Sequence, residues 1–394
     1  MAERVSRARA ALAAGTLASL LAACGDGIPA DALEEAASSC PDAPRLALPG
    51  FSRGLVLVNA YWLQEEAARA LRRGDPMAAR VEEALGEAAA LGIAVVRTNG
   101  FNDDPAKAGD SAIQTAKLVY DETALRALDL VLARAHAHGV RLVLPLGNFW
   151  NDYGGARQYV AWAGLPDPRT GDRRFFTDRA VVEHYRAHVT SLLSRVNTFD
   201  GIRYGEHPAV LAWELLNEPR APWPPRGRAA LRAWVDELGA LLRSLAPGHL
   251  VGTGEEGVDA AQLALDLASP YVDYGSLHLF PEKIGRHGPF AAAAGADLIA
   301  SRAWLAHAAG KPLVVGELGL RRDGLPLEAR RAIYRGWFAC ARRTGVAAAG
   351  PWMLAHDDRP DAWDAYQFKW LDGTPPEDPA NQYVDILRDA AAAW

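Results

Sequence analysis

Short apolar runs alternate with amphipathic stretches along the chain from Phe51 onward. The apolar runs fit strands buried on both faces, and the amphipathic stretches fit helices packed over them. The eight predicted strands are Leu55–Asn59, Ile93–Thr98, Val140–Leu146, Leu211–Leu216, Leu250–Gly254, Val272–Leu279, Leu313–Glu317 and Ala347–Met353. Because the alternation continues without a compositional break over about 340 residues, we expect one (β/α)8 TIM barrel with decorated loops. The alternative, a doubly wound open sheet, requires a glycine-rich phosphate loop after the first strand, and Asn59–Trp62 is not one.

Polar side chains stand at the carboxyl ends of these predicted strands. They are Arg97, Asn148, Asn217, Glu218, His278, Glu317 and Trp352. A barrel brings all its strand C-termini to one face, so residues far apart in sequence meet there. The polar set therefore predicts a functional site at that face.

Two of the strand ends carry a glutamate. The run Leu211–Leu216 leads into Asn217-Glu218-Pro219, and a similar run leads into Glu317. Core strands rarely end in an unpaired acid, so we interpret Glu218 and Glu317 as a carboxylate pair facing one cleft. The alternative is that Glu218 caps a helix and Glu317 is an ordinary loop acid. Other acids near predicted loops are interpreted as solvated surface: Glu206, Glu255, Glu256, Asp357 and Asp358.

Composition argues against several classes of partner. The formal net charge of -6 is mild and the basic residues are scattered, which gives no electrostatic case for nucleic acid binding. His136 and His138 point to different faces of a predicted helix, and no His/Cys/Asp cluster has convincing metal spacing, so we expect no metal and no cofactor. The 12 Trp residues suit a groove for sugar rings, although most Trp side chains in any protein are simply packed.

The N-terminus has the pattern of an export signal. Arg4, Arg7 and Arg9 precede an apolar run, Ala10–Ala23, that is too short to span a bilayer. Leu21–Gly25 resembles a bacterial lipoprotein box, which implies cleavage before Cys24 and lipidation of its thiol. We expect residues 1–23 to be a signal peptide, 24–48 a lipidated tether and 49–394 the catalytic domain.

Because Gly25 rather than Asp follows Cys24, the expected location is the outer membrane or cell surface. If the lipoprotein box is not used, the protein is instead secreted. Cys40 and Cys340 fit a disulfide in an oxidising compartment. A buried free thiol in a predicted helix is equally ordinary for Cys340, so both possibilities stay open.

Several segments, in order, resemble glycoside hydrolase family five, and within it the endo-β-1,4-mannanases. These segments are Val95–Thr98, Asn148–Gly155, Gln158–Val160, Phe175–Asp178, Arg195–Thr198, Trp213–Pro219, His278–Pro281 and Gly316–Glu317. The resemblance implies that Glu218 is the general acid/base and Glu317 the nucleophile of a retaining hydrolase. Arg97 is then expected to orient the Glu317 carboxylate, and Asn217 to bind the 2-hydroxyl of the sugar at the cleavage point.

The same resemblance implies roles for four further residues. Asn148 and Trp150 are expected to contact substrate, His278 to support the acid/base side, and Trp352 to floor the subsite of the attacked sugar. From the residues alone, plain packing stays open for the two tryptophans, a turn for Asn148, a core position for His278 and an outer-barrel salt bridge for Arg97.

The chain departs from the mannanase pattern at three positions. Asn99 and Phe149 stand where those enzymes usually have Trp and Asn, and Phe280 replaces a Tyr whose hydroxyl donates to the nucleophile. We therefore expect a divergent, monomeric endo-β-1,4-mannanase acting on mannan-type polysaccharide. The alternatives are a β-1,4-glucanase, an exo-acting β-mannosidase, or a glycan-binding lipoprotein with faded activity.

Overall fold

The computed structural model describes residues 28–221, 226–354, 366 and 383–394, without the side chains of Ala108 and Arg226. The strands are β1 (Leu55–Asn59), β2 (Val95–Arg97), β3 (Gln114–Ala116), β4 (Val119–Tyr120), β5 (Arg141–Pro145), β6 (Val210–Glu214), β7 (Leu250–Gly252), β8 (Gly275–Leu279), β9 (Leu313–Leu318) and β10 (Ala348–Pro351).

The helices of the described ranges lie between these strands and at the two ends. They are α1 (Ala30–Ser38), α2 (Leu63–Arg72), α3 (Ala79–Ala90), α4 (Pro105–Ala108), α5 (Glu122–Ala137), α6 (Gly155–Trp162), α7 (Arg174–Thr177), α8 (Arg179–Ser194), α9 (Arg226–Leu245), α10 (Ala260–Leu267), α11 (Phe290–Ala308), α12 (Leu327–Arg343) and α13 (Val384–Ala393). Within the described residues, no helix combines the length and apolar character needed to cross a membrane.

The chain divides into two compact units, and the first described here is Asn59–Ser276. Its main sheet contains parallel strands in the order β7-β6-β5-β2. Strands β3 and β4 form a separate antiparallel hairpin. All five residues of β6 are buried, which explains why this strand reads as an almost continuous apolar run.

The other unit comprises the chain up to Val58 and Leu277–Trp394. Its strands lie in the order β1-β10-β9-β8, and β1 pairs in parallel with β10. A barrel requires this pairing of the first strand with the last, and a doubly wound open sheet does not contain it. With eight parallel strands and helices in their connections, the chain has the (β/α)8 barrel fold predicted from the sequence.

The segment interpreted as a tether contains helix α1, which packs on α12. An added Cβ at Gly336 would lie 2.4 Å from the Cβ of Ala37, and Arg335 pairs with Glu34 at 2.9 Å. Cys40 and Cys340 form a disulfide, which settles the pairing that the sequence left open. Residues 30–48 are therefore held against this unit, with Leu33 and Leu48 buried. Cys24 and the rest of residues 1–27 lie outside the described residues.

Candidate active site

Glu218 lies just beyond the end of β6, where the backbone continues alongside the segment that follows β7. The Glu218 N–H donates to the carbonyl of Gly254 at 2.7 Å, and the Leu216 N–H donates to that of Thr253 at 3.3 Å. Glu218 has φ +52, in the left-handed region that non-glycine residues rarely occupy. Its side chain is 4% exposed. Strained backbone and a buried carboxyl are found together at active sites more often than elsewhere.

The indole of Trp150 contacts the Glu218 carboxylate. Trp150 Nε1 donates to Glu218 Oε2 at 2.6 Å, and the Arg220 guanidinium lies 5.1 Å from the Trp150 ring centroid. Arg220 in turn pairs with Glu256. A short hydrogen bond from an N–H group to a carboxylate fixes the orientation of the acid. Trp150, which is itself half-buried, therefore holds the Glu218 side chain in place.

Arg97 is the centre of a buried polar network. Its Nε and Nη2 both contact Glu214 Oε2, at 2.9 and 2.8 Å, and Nη2 also donates to Asn217 Oδ1 at 2.7 Å. The Asn217 amide donates to Asn148 Oδ1 at 3.0 Å. Asn217, the residue preceding Glu218, therefore has its carboxamide held at both ends.

Glu214 is a member of this network that the sequence did not single out. It is 1% exposed, and Tyr274 donates to its Oε1 at 3.1 Å. Burial and the Glu214 charge raise the pKa of the Tyr274 hydroxyl well above its usual value, so it stays a donor. The only signal for Glu214 in the sequence is that an acid follows an apolar run. The more conspicuous Asn217-Glu218 comes three residues later.

Asn148 makes a turn as well as the contact to Asn217. Its Oδ1 accepts from the Trp150 N–H at 3.2 Å, and its Nδ2 donates to the Asp152 carbonyl at 3.1 Å. At Gly155, with φ +59, an added Cβ would lie 1.6 Å from the Trp150 carbonyl oxygen. Only glycine lets the loop fold back in this way. The Asn148–Gly155 segment is therefore a compact loop that presents the Trp150 side chain.

A buried acid supports this loop from the segment after β2. The Asp103 N–H donates to the Tyr153 carbonyl at 2.8 Å, and the Tyr159 hydroxyl donates to Asp103 Oδ2 at 2.7 Å. Burial raises the pKa of Asp103 to about 7. Gln114 and Tyr159 hydrogen-bond to each other at 3.2 Å, which extends the network to the β3–β4 hairpin.

Three of the predicted site residues belong to the other unit. Glu317 is the fifth residue of β9 and is 4% exposed, and His278 Nδ1 lies 3.4 Å from Glu317 Oε1. His278 was expected to support the acid/base; the contact seen within this unit is with Glu317. Trp352 follows β10 and is half-buried, and its backbone N–H donates to the Leu318 carbonyl at 2.8 Å.

Phe280 is packed where a tyrosine hydroxyl was expected. It is 4% exposed, its ring meets that of Tyr366 edge-on at 5.2 Å, and the Lys283 ammonium lies 4.1 Å from its centroid. An added Cβ at Gly319 would lie 2.2 Å from the ring. The space around Phe280 is therefore filled by side chains that it packs against.

The interpretation of the remaining acids is partly wrong. Glu206 is exposed, as expected, but Glu255 and Glu256 are 3% and 8% exposed and are not solvated surface. Glu256 pairs with Arg220. The glycine-rich sequence around them reads as a loop, and loops that pack against a strand end bury their side chains. Asp357 and Asp358 lie outside the described residues.

The chain is similar to known proteins of one family. A family model described as GH family 5 beta-mannosidase-like matches residues 51–377. Two proteins of Oryza sativa subsp. japonica, named putative mannan endo-1,4-beta-mannosidase 5 and mannan endo-1,4-beta-mannosidase 8, are each 36% identical. Each alignment covers 68% of this chain, with 57% of the first relative and 75% of the second. The chain thus spans less than two thirds of the first relative's length.

Among solved structures, the hyperthermostable endo-1,4-beta-D-mannanase from Thermotoga petrophila RKU-1, with maltose and glycerol, superimposes with a TM-score of 0.74 and 26% identity. That alignment covers 86% of this chain and 100% of the other. The family match, the rice relatives and the shared barrel lead to one conclusion: the chain belongs to glycoside hydrolase family 5, among its β-mannosidase-like members.

Proposed function

We propose that this protein is a retaining endo-β-1,4-mannanase in which Glu218 is the general acid/base and Glu317 the nucleophile. The proposal is supported by the family match and by the printed names of the rice relatives. The observation that carries it is Glu218 itself: a buried carboxyl on a left-handed residue at a strand end, oriented by a 2.6 Å hydrogen bond from Trp150.

The proposed reaction has two steps. In the first, Glu218 gives its proton to the glycosidic oxygen while Glu317 attacks the anomeric carbon, which breaks the glycosidic bond and forms a glycosyl ester. In the second, Glu218 removes a proton from water, the water oxygen attacks the same carbon, and the Glu317 carboxylate leaves. This mechanism requires the two carboxyl groups to lie about 5–5.5 Å apart.

The surrounding residues have proposed roles in this reaction. Asn217, held between Arg97 and Asn148, binds the sugar 2-hydroxyl through its amide. Because Phe280 has no hydroxyl to donate, we assign to His278 the task of fixing the Glu317 carboxylate, which its Nδ1 approaches at 3.4 Å. Trp352, half-buried after β10, floors the subsite of the attacked sugar.

Substitution of the two glutamates tests the proposal. Glu218→Ala and Glu317→Ala should each lower reducing-sugar release from mannan by at least about a thousandfold, since each removes a group that takes part in bond making. Glu206→Ala, at an exposed acid, is the matched control and should keep full activity. Unchanged activity in both glutamate variants, with unfolding curves like the parent, contradicts the assignment.

A related substrate is a second candidate, because Asn99 and Phe149 depart from the mannanase pattern where those enzymes build their sugar contacts. Phe149 is 4% exposed and packs on Trp150 and Phe176, so it offers no polar group to a sugar. This favours altered subsites, as in a β-1,4-glucanase or an exo-acting β-mannosidase. Product lengths from defined manno- and gluco-oligosaccharides separate these activities. Binding without any cleavage would instead support a glycan-binding protein.

We further propose that the protein is exported and anchored through a lipidated Cys24. The support is the Leu21–Gly25 pattern after a basic and apolar leader. In a bacterial host, labelled fatty acid should enter the protein and be lost in Cys24→Ala. Equal labelling of both proteins, or none in either, would contradict the anchor.

A further inference from the structure

Two buried acids, Glu255 and Asp266, lie together outside the proposed reaction machinery. Glu255 belongs to the segment after β7, and Asp266 lies on helix α10. They are 3% and 1% exposed, and the Gln262 amide donates to Asp266 Oδ1 at 2.7 Å. Glu255 Oε1 and Asp266 Oδ2 are both buried without a hydrogen-bond partner among the described residues, and each carboxyl group acts on the pKa of the other.

The charged residues around this acid pair already have partners of their own. Asp236 and Arg232 face it from α9, Asp259 from the start of α10, and Glu256 from its own segment. The ion pairs among these neighbours are Arg220 with Glu256, Arg228 with Asp259, and Arg232 with Asp236. Arg232 also donates to the Leu265 and Ala268 carbonyls. These arginines are therefore each paired with another carboxylate, and the charge of Arg232 in addition lowers the pKa of Asp266.

Two adjacent carboxyl groups away from water cannot both ionise at neutral pH, so at least one of them keeps a proton. Burial and the neighbouring Asp266 raise the pKa of Glu255 well above its usual value. Burial raises the pKa of Asp266 to about 7. A proton held by Glu255 supplies the hydrogen-bond donor that the buried Glu255 Oε1 and Asp266 Oδ2 otherwise lack.

The segment that carries Glu255 also holds the backbone of Glu218. The Gly254 carbonyl, one residue before Glu255, accepts the Glu218 N–H at 2.7 Å. Gly254 has φ +76, and an added Cβ would lie 2.2 Å from the Leu216 carbonyl oxygen. With so little free space, a shift of residue 255 is transmitted to the strand end that carries Glu218.

We propose that Glu255 and Asp266 are positioning residues for Glu218: the contact between their buried carboxyl groups ties helix α10 to the segment after β7, and that segment fixes the Glu218 backbone. The role assigned to Glu218 rests on the proposed function. The proton and the backbone geometry do not, so they are tested separately.

The protonation of the pair is tested by the pH dependence of unfolding. In the unfolded chain both acids ionise near pH 4, whereas in the folded protein Asp266 keeps its proton up to about pH 7 and the pKa of Glu255 is also well above its usual value. The folded state then binds two more protons, so the folding equilibrium constant should fall by up to about tenfold per pH unit for each proton as the pH rises from about 5 to 7. Glu255→Gln keeps the donor without titrating, so only Asp266 remains to titrate and the decline should become about half as steep on a logarithmic scale.

Urea unfolding of the parent, Glu255→Gln and the exposed control Glu206→Gln gives the three curves. The control should follow the parent. If Glu255→Gln also follows the parent across this pH range, Glu255 does not keep a proton in the folded protein and the proposal is wrong.

The positioning role is tested by activity and by amide exchange. Glu255→Ala removes the hydrogen bond and should lower kcat on mannan by roughly tenfold or more with KM changed about twofold or less, while Glu255→Gln restores kcat. Exchange of the Glu218 amide hydrogen should become faster in Glu255→Ala and return to the parent rate in Glu255→Gln.

The exchange measurement needs no substrate, so it stands even where mannan is not cleaved. If Glu255→Ala loses stability but keeps the parent's Glu218 exchange rate, the pair is merely structural and the proposal fails. Asp266→Asn, matched in volume, gives a second set of the same readouts where Glu255→Ala does not fold. Its Glu218 amide should exchange within about twofold of the parent rate, because the Asn carboxamide oxygen still accepts from Glu255.

Discussion

At the scale of single residues, Arg97 and Glu214 form an ion pair that is almost fully removed from water. Their side chains are 4% and 1% exposed, and Arg97 also holds Asn217. Removing one partner of a buried pair leaves the other charge uncompensated, which costs far more than breaking a pair at the surface. The pair therefore links the stability of the barrel to the orientation of the residue beside Glu218.

Glu214→Gln tests this link. We expect a loss of about 3–5 kcal/mol in the free energy of unfolding, because Arg97 remains buried without a counter-charge. The matched control is Glu237→Gln, which breaks the exposed contact to Arg179 and should cost about 1 kcal/mol or less. Urea unfolding at pH 7 measures both. Equal losses in the two variants would contradict a special role for the buried pair.

Much of this cluster follows from the sequence, and the rest depends on loop geometry. Arg97, Asn148 and Asn217 come together because neighbouring parallel strands end at one edge. The Trp150 contact to Glu218 does not follow, because it depends on how the loop folds at Gly155. Glu214 was missed because the predicted strand continued to Leu216 and placed this acid inside an apolar run, whereas β6 ends at Glu214.

At the scale of secondary structure elements, helix α1 and its disulfide close one unit of the chain. The sequence of residues 25–48 is rich in Ala, Ser, Asp and Pro, a composition typical of tethers. Leu33, Ala37 and Cys40 nevertheless follow a helical spacing, and all three are buried. This short apolar face was the signal in the sequence that the segment is a packed helix. The face packs on α12, about 300 residues later in the chain, and no local sequence pattern reveals a partner at that distance.

Removal of the disulfide should lower stability strongly. Cys40 and Cys340 are separated by 300 residues, and a cross-link that closes so long a loop restricts the unfolded chain. On the chain-entropy model the double variant Cys40→Ser/Cys340→Ser should lose roughly 5 kcal/mol of unfolding free energy. Guanidinium unfolding with and without a reducing agent measures this.

The reducing agent should move the parent to the variant's curve and leave the variant unchanged. A parent protein whose stability ignores the reducing agent, under conditions where both thiols become accessible to alkylation, would show that the cross-link contributes nothing.

At the scale of the whole molecule, the fold was predictable because it repeats a strand followed by a helix. Each strand and helix reads locally, and the pairing of β1 with β10 is the only long-range contact that distinguishes a barrel from an open sheet in the described residues. Substrate preference was not predictable in this way. It depends on side chains such as Phe149 and Phe280, whose packing partners lie in other segments.

The assignment of Glu317 as nucleophile and Glu218 as acid/base is tested most directly by trapping the covalent intermediate. A mannosyl substrate with fluorine at C2 and a good leaving group slows both steps, because the transition states resemble an oxocarbenium ion, and the ester accumulates. Peptide mass spectrometry should find the mannosyl adduct on Glu317, and Glu218→Ala should form it and release it more slowly. An adduct on another carboxylate, or mannan cleavage with inversion and no adduct, would contradict the proposed mechanism.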